Sequence, residues 1–163
     1  MTLSGKTSLF ARKAPPQISR AATGGRIDRG APVSFIFDGR TYQGYEGDTL
    51  ASALLANNVH LVGRSFKYHR PRGILASGSE EPNALVRVGR GAHAEPNLRA
   101  TQVEIHNGLY AESQNRFPSL KCDVGAVNSA LQAFFPAGFY YKTFMWPASM
   151  WMTYEHVIRH AAG

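Results

Sequence analysis

Val33-Ser34-Phe35-Ile36-Phe37-Asp38-Gly39-Arg40-Thr41-Tyr42-Gln43-Gly44-Tyr45-Glu46-Gly47-Asp48-Thr49-Leu50 decides the fold. Its first five residues alternate as a strand does when its two faces meet different surroundings. Asp38-Gly39 is a two-residue hairpin turn, because both residues tolerate positive φ. Arg40 to Tyr45 then returns as a second strand. Asp48 is read as the N-cap of a helix that starts at Thr49. Leu50, Ala53, Leu54 and Asn57 share one face of that helix, with Leu55 beside it. Asn57-Asn58 supplies a left-handed stop.

A hairpin followed by a helix is how a β-grasp domain begins. Working outward, Val59 to Phe66 reads as a third extended segment, and 67–83 as a loop rich in Arg, Gly, Pro and Ser. Ala84 to Val88 reads as a strand and Gly89 to Asn97 as a polar excursion. Thr101 to Ile105 alternates again. Asn107-Gly108 is a second turn signal, after which Leu109 to Ser113 is expected to pair back on 101–105. The predicted class is therefore α+β, with a β-grasp domain over 31–113.

The flanks differ from this centre. Residues 1–30 form a basic arm almost without large apolar side chains. Residues 114–163 form an aromatic-rich docking tail that closes in a short helix over 150–162. Phe139, Tyr140, Tyr141, Phe144 and Trp146 crowd between Pro136 and Pro147. That much aromatic surface must cover the domain or meet another polypeptide, because monomers rarely expose large apolar patches.

Composition narrows the function classes. Hydrophobic residues make up 44% of the 163, enough for a core and against wholesale disorder. No apolar run approaches membrane-spanning length, so no membrane association is expected. A single cysteine, Cys122, excludes an internal disulfide and makes a cytoplasmic setting the default. Of six histidines, only His156 and His160 have ligand spacing, and Val157 stands where a zinc-protease helix needs Glu. No metal site is expected. Cys122 has no His partner in the sequence, Ser77-Gly78-Ser79 is no nucleophile elbow, and neither Gly24-Gly25 nor Gly89-Arg90-Gly91 has dinucleotide or P-loop spacing. No catalytic residue is assigned.

The net charge of +7 is locally concentrated in the stretch from Arg64 to Gly73, where Arg64, Lys67, Arg70 and Arg72 interleave with Phe66, Tyr68 and His69. Such a loop suits docking to an acidic subunit or a cofactor phosphate. The alternative reading is a basic nucleic-acid-binding module using 64–73, with Phe66 and Tyr68 as stacking platforms. That reading predicts steep salt dependence. No known nucleic-acid motif accompanies it, so nucleic acid is not the expected partner.

Tyr68-His69-Arg70-Pro71-Arg72-Gly73, followed by Gly78-Ser79-Glu80-Glu81-Pro82-Asn83-Ala84, resembles the amino-terminal region of the alpha subunits of heterotetrameric sarcosine oxidases. Tyr45 to Ala56, Glu95 to Thr101, Pro136 to Trp146 and Tyr154 to Arg159 extend the resemblance in order. It implies membership in a complex that oxidatively demethylates sarcosine to glycine, releases hydrogen peroxide and passes the one-carbon unit to tetrahydrofolate. That complex uses FAD, FMN and NAD. The implied partners are the dinucleotide-binding remainder of the alpha subunit and the other sarcosine oxidase subunits. The chain ends at Gly163 before any glycine fingerprint, so it is expected to be a truncated product, a split subunit or a fragment, and inactive alone.

The same region is similar to the two-iron ferredoxin-like domains of related amino-acid and opine oxidases. Those carry Cys-x4-Cys-x2-Cys in a loop and a fourth cysteine later. Laid on this loop, the pattern puts Ala76, Glu81 and Ala84 at the first three ligand positions and Thr101 at the fourth. All four thiolates that a cluster needs are missing. The expectation is a degenerate cluster loop, with no cofactor bound by this chain.

Overall fold

The computed structural model describes residues 17–131 and 147–162. β1 (Asp28–Phe37) and β2 (Arg40–Glu46) form the expected hairpin, with Phe37 opposite Arg40 and Asp28 opposite Glu46. Asp38 and Gly39 both turn at positive φ, 47° and 74°. α1 (Leu50–Ala56) follows directly, and Asn58 leaves it at φ 59°.

The helix start differs from expectation. The N-cap is Thr49, not Asp48. Thr49 Oγ1 accepts the Ser52 N–H at 3.2 Å, and Ser52 Oγ accepts the Thr49 N–H at 3.0 Å, a reciprocal capping box. Asp48 is instead buried, its carboxylate taking the Tyr45 N–H, the Ser52 hydroxyl and the Arg20 guanidinium. Thr49→Ala is expected to cost about 1 kcal/mol, a loss of about 3 °C in Tm by thermal unfolding, and Thr49→Ser to restore it.

The sheet order is β2-β1-β7-β5-β6, built with β5 (Leu85–Val88), β6 (Glu95–Arg99) and β7 (Tyr110–Ser113). β7 lies in the middle, parallel to β1 and antiparallel to β5. Asp38, at the tip of the first hairpin, binds the far end of β7. Its carboxylate accepts the Ser113 N–H and hydroxyl at 2.8 and 2.7 Å and pairs with Arg116 at 3.0 Å. A separate two-stranded ribbon joins β3 (Gly63–Arg64) to β4 (Pro71–Arg72).

Three expectations are corrected. Of Val59 to Phe66, only Gly63–Arg64 is a strand. The polar excursion holds a 3-10 turn, Gly91–His93, and then most of β6. The hairpin between 101–105 and 109–113 does not form. The reason lies in the helix start, whose first-turn N–H groups have no intrahelical acceptors. Ala100 and Val103 supply carbonyls to Ala51 and Leu50 at 2.9 and 2.7 Å, and Ile105 N–H bonds the Asp48 carbonyl. Asn107-Gly108 still turns the chain, with Gly108 at φ 83°, but into the parallel register beside β1. Asn107 Oδ1 accepts the Ser34 N–H there.

The core lies between the sheet and α1. Phe35, Leu50, Ala53, Leu54, Val62, Val86 and Ala111 are fully buried in it, and Phe35 stacks on Tyr42 with ring centroids 5.8 Å apart. Residues 17–20 lie against this unit, with Gln17 donating to the Gln43 carbonyl and the Ser19 N–H to that of Ala56. Among the described residues, α2 (Val127–Ala130) and α3 (Trp151–Ala162) follow the sheet. Among the described residues no helix is long and apolar enough to cross a membrane. The docking-tail aromatics Phe139, Tyr140, Tyr141, Phe144 and Trp146 lie outside the described residues.

Candidate functional site

The loop between β4 and β5 has almost no regular structure, so its backbone N–H groups need other partners. They find one in Glu81, which is fully buried. Its Oε2 accepts the N–H groups of Leu75 and Ala76 at 2.7 and 2.5 Å. Its Oε1 accepts those of Asn83 and Ala84 at 2.7 and 3.1 Å. Burial pushes this carboxyl up, but the N–H groups of Ala76, Asn83, Leu75 and Ala84 outweigh it and hold the group below its ordinary value. Thr101 donates its hydroxyl to the Gly78 carbonyl at 2.7 Å, and Arg99 Nε donates to the Glu81 carbonyl at 3.2 Å. The structure thus gathers Ala76, Glu81, Ala84 and Thr101 into one small network.

The basic loop is organised around a second carboxylate, Asp123, whose side chain is inaccessible to solvent. Its Oδ2 faces His69 Nδ1 at 2.8 Å and Arg64 Nε at 3.4 Å. Its Oδ1 accepts the Phe117 and Gly125 N–H groups at 2.9 and 3.2 Å. Burial again pushes upward, and the Phe117 amide, His69 and the Gly125 amide together hold Asp123 low. Arg64 also donates to the Leu120 and His69 carbonyls, and Arg72 to Asn83 Oδ1 at 2.8 Å. Arg64 and His69 therefore turn inward onto Asp123, and Arg72 is tied to Asn83. Lys67 and Arg70 sit over the Tyr68 ring, 5.0 and 4.9 Å from its centroid.

Sequence reasoning did not find either carboxylate's role. In the sequence Glu81 stands out only as a missing thiolate, and no motif marks Asp123. A faint signal exists for both: Asn83 and Gly125 follow two residues later, where an acidic side chain can take a backbone N–H.

A β-grasp sheet with a ligand-type loop after its small ribbon defines a class. The chain belongs to the 2Fe-2S iron-sulfur cluster binding domain family, whose model matches residues 30–116. More particularly, it is similar to sarcosine oxidase subunit alpha of Rhizobium meliloti (strain 1021), with 68% identity over 140 residues, 85% of this chain and 14% of that subunit. It is also similar to sarcosine oxidase subunit alpha of Corynebacterium sp. (strain U-96), at 44% identity over 101 residues, 60% of this chain and 10% of that subunit. The chain therefore spans a small part of the curated relatives it matches. Among solved structures, L-proline dehydrogenase from P. horikoshii aligns over 55% of this chain and 17% of its own, at 28% identity and TM-score 0.45.

A two-iron cluster does not fit these residues. It requires thiolates or, at some positions, imidazoles. The chain has one cysteine, and alanine, glutamate, alanine and threonine stand at the four positions where the resemblance would place the ligands. The N–H groups of the loop already converge on a carboxylate. Cys122 is exposed and follows the matched residues. Among the described residues no three His, Cys, Asp or Glu side chains are grouped to hold a metal ion.

Proposed function

We propose that this chain is the amino-terminal structural and docking module of a sarcosine oxidase alpha-type subunit, and that its ligand loop carries no cluster. The observation that carries the reading is the 68% identity over 140 residues with the Rhizobium subunit. In this reading 1–30 is the arm, 31–113 the β-grasp domain and 114–163 the docking segment. Its partners are the dinucleotide-binding remainder of an alpha subunit and the other subunits of a cytoplasmic complex. That complex converts sarcosine to glycine, with FAD, FMN, NAD and tetrahydrofolate held elsewhere. Here the chain contributes shape and contact surface, and no step of the chemistry.

The experiment is direct. The purified 163-residue chain is expected to contain no stoichiometric iron and no visible charge-transfer absorption, even after anaerobic reconstitution with iron and sulfide. It is expected to release no hydrogen peroxide from sarcosine by itself. Co-expressed with the remainder of an alpha subunit, it is expected to elute with it in size-exclusion chromatography. Stoichiometric iron, peroxide formation by the chain alone, or separate elution overturns the reading.

A further inference from the structure

We propose that Glu81 takes the place of the missing cluster, its buried carboxylate being the anion around which the ligand loop folds. The inference rests on the cluster-free reading above and adds the device that makes it possible.

Four N–H groups from two separate parts of the loop, Leu75-Ala76 and Asn83-Ala84, point at one spot. Successive backbone N–H groups aimed into a concavity form an anion site, and iron–sulfur and phosphate sites are built this way. Such a loop needs an anion at its centre whatever its chemical nature. A cluster ligated by four thiolates is one, and a carboxylate is another. Glu81 stands at the second aligned ligand position, so the substitute grows from where a ligand would have grown.

The other three positions have changed in ways that suit it. Ala76 and Ala84 contribute their N–H groups, and their methyl side chains compete for nothing polar. Thr101 ties the fourth position to the Gly78 carbonyl, inside the same loop. Among the described residues no cation is paired with Glu81. Its charge is met by peptide dipoles, which is why the loop can hold a carboxylate in an orientation set by backbone alone.

The test uses the full 163-residue chain. Glu81→Gln keeps the shape but removes the charge and turns an amide –NH2 toward two N–H donors. It is expected to lower the Tm by about 10 °C. Hydrogen exchange should accelerate at Leu75, Ala76, Asn83 and Ala84 more than in the β1–β2 hairpin. Glu80→Gln, one residue away and exposed, is expected to leave both readouts unchanged. Glu81→Gly opens the site, and formate is expected to raise the Tm of that variant while leaving the wild type unmoved. A folded carboxylate held low stabilises the chain above the ordinary carboxyl range, and the contribution is lost as pH falls through the folded value. Glu81→Gln should lack that acid-side loss.

If Glu81→Gln fails to fold, formate rescue of Glu81→Gly decides the matter. A Gln variant as stable as wild type with unchanged exchange overturns the proposal, as does formate acting equally on wild type and Glu81→Gly. Neither result touches the cluster-free reading, which stands or falls on iron in the wild-type chain.

Discussion

Asp123→Ala is expected to destabilise the chain by about 3–5 kcal/mol, lowering its Tm by about 10 °C. The carboxylate is fully enclosed and meets His69, Arg64 and two backbone N–H groups. Removing it strands the guanidinium of Arg64, whose side chain is only 9% exposed, without its counter-charge. Arg64 keeps the Leu120 and His69 carbonyls, so it does not swing free, and the cost is that of a buried cation left uncompensated. The damage should be local at first. Amide exchange near Arg64 to Arg72 and Phe117 to Gly125 should quicken before that of the sheet. Acid gives a milder version of the same lesion. A group held low contributes above the ordinary carboxyl range and loses that contribution as pH falls through its folded value. Unfolding curves of the variant should be correspondingly flatter with pH on the acid side. A Tm within 2 °C or so of wild type would contradict the assignment of a buried charged cluster here.

Phe35→Ala is expected to cost a comparable about 3–5 kcal/mol, through cavity formation rather than charge. Phe35 is fully buried in the strand between β2 and β7 and stacks on Tyr42. Its removal leaves a void beneath α1 that the rigid strand pair cannot close. The effect should be global, lowering protection in β1, β2 and α1 together, and should not change with pH. Phe35→Leu, which refills most of the volume, should recover more than half of the loss by thermal unfolding. The pair of variants thus separates the apolar core from the polar cluster by the pH dependence of their unfolding.

Much of the fold was legible because its signals are local. Asp38-Gly39 needs positive φ at both positions, and few other dipeptides supply it. The apolar face of 50–57 fixes a helix wherever the chain ends up. What escaped was non-local. The alternation in 101–105 is the same whether the segment pairs with 109–113 or lies across a helix start. Only the unmet N–H groups of Leu50 and Ala51 decide between them. Asp48 illustrates the same limit. As a residue type it caps helices well, but a guanidinium 28 residues earlier recruits it, and Thr49 takes the cap. At the candidate site the sequence offered a loop by resemblance, and nothing about its content. The resemblance implies that thiolates are missing; it does not show that four N–H groups converge on Glu81. That convergence depends on the path of the backbone over 75–84, and no periodicity encodes it.

The sheet order has a temporal consequence. The middle strand of the five, β7, is the last of them to be synthesised. A growing chain can close the first hairpin and the helix as soon as they emerge, since those contacts are short in sequence. It must then carry one side of β1 and one side of β5 unpaired until residues 110–113 appear. The clasp between Asp38 and Ser113 spans 75 residues and can be fastened only at that moment. Such long closures slow folding, and open strand edges invite pairing with other chains. Assembly of this domain is therefore gated by its final strand, and a nascent chain halted before Ser113 presents two vacant edges to the cell.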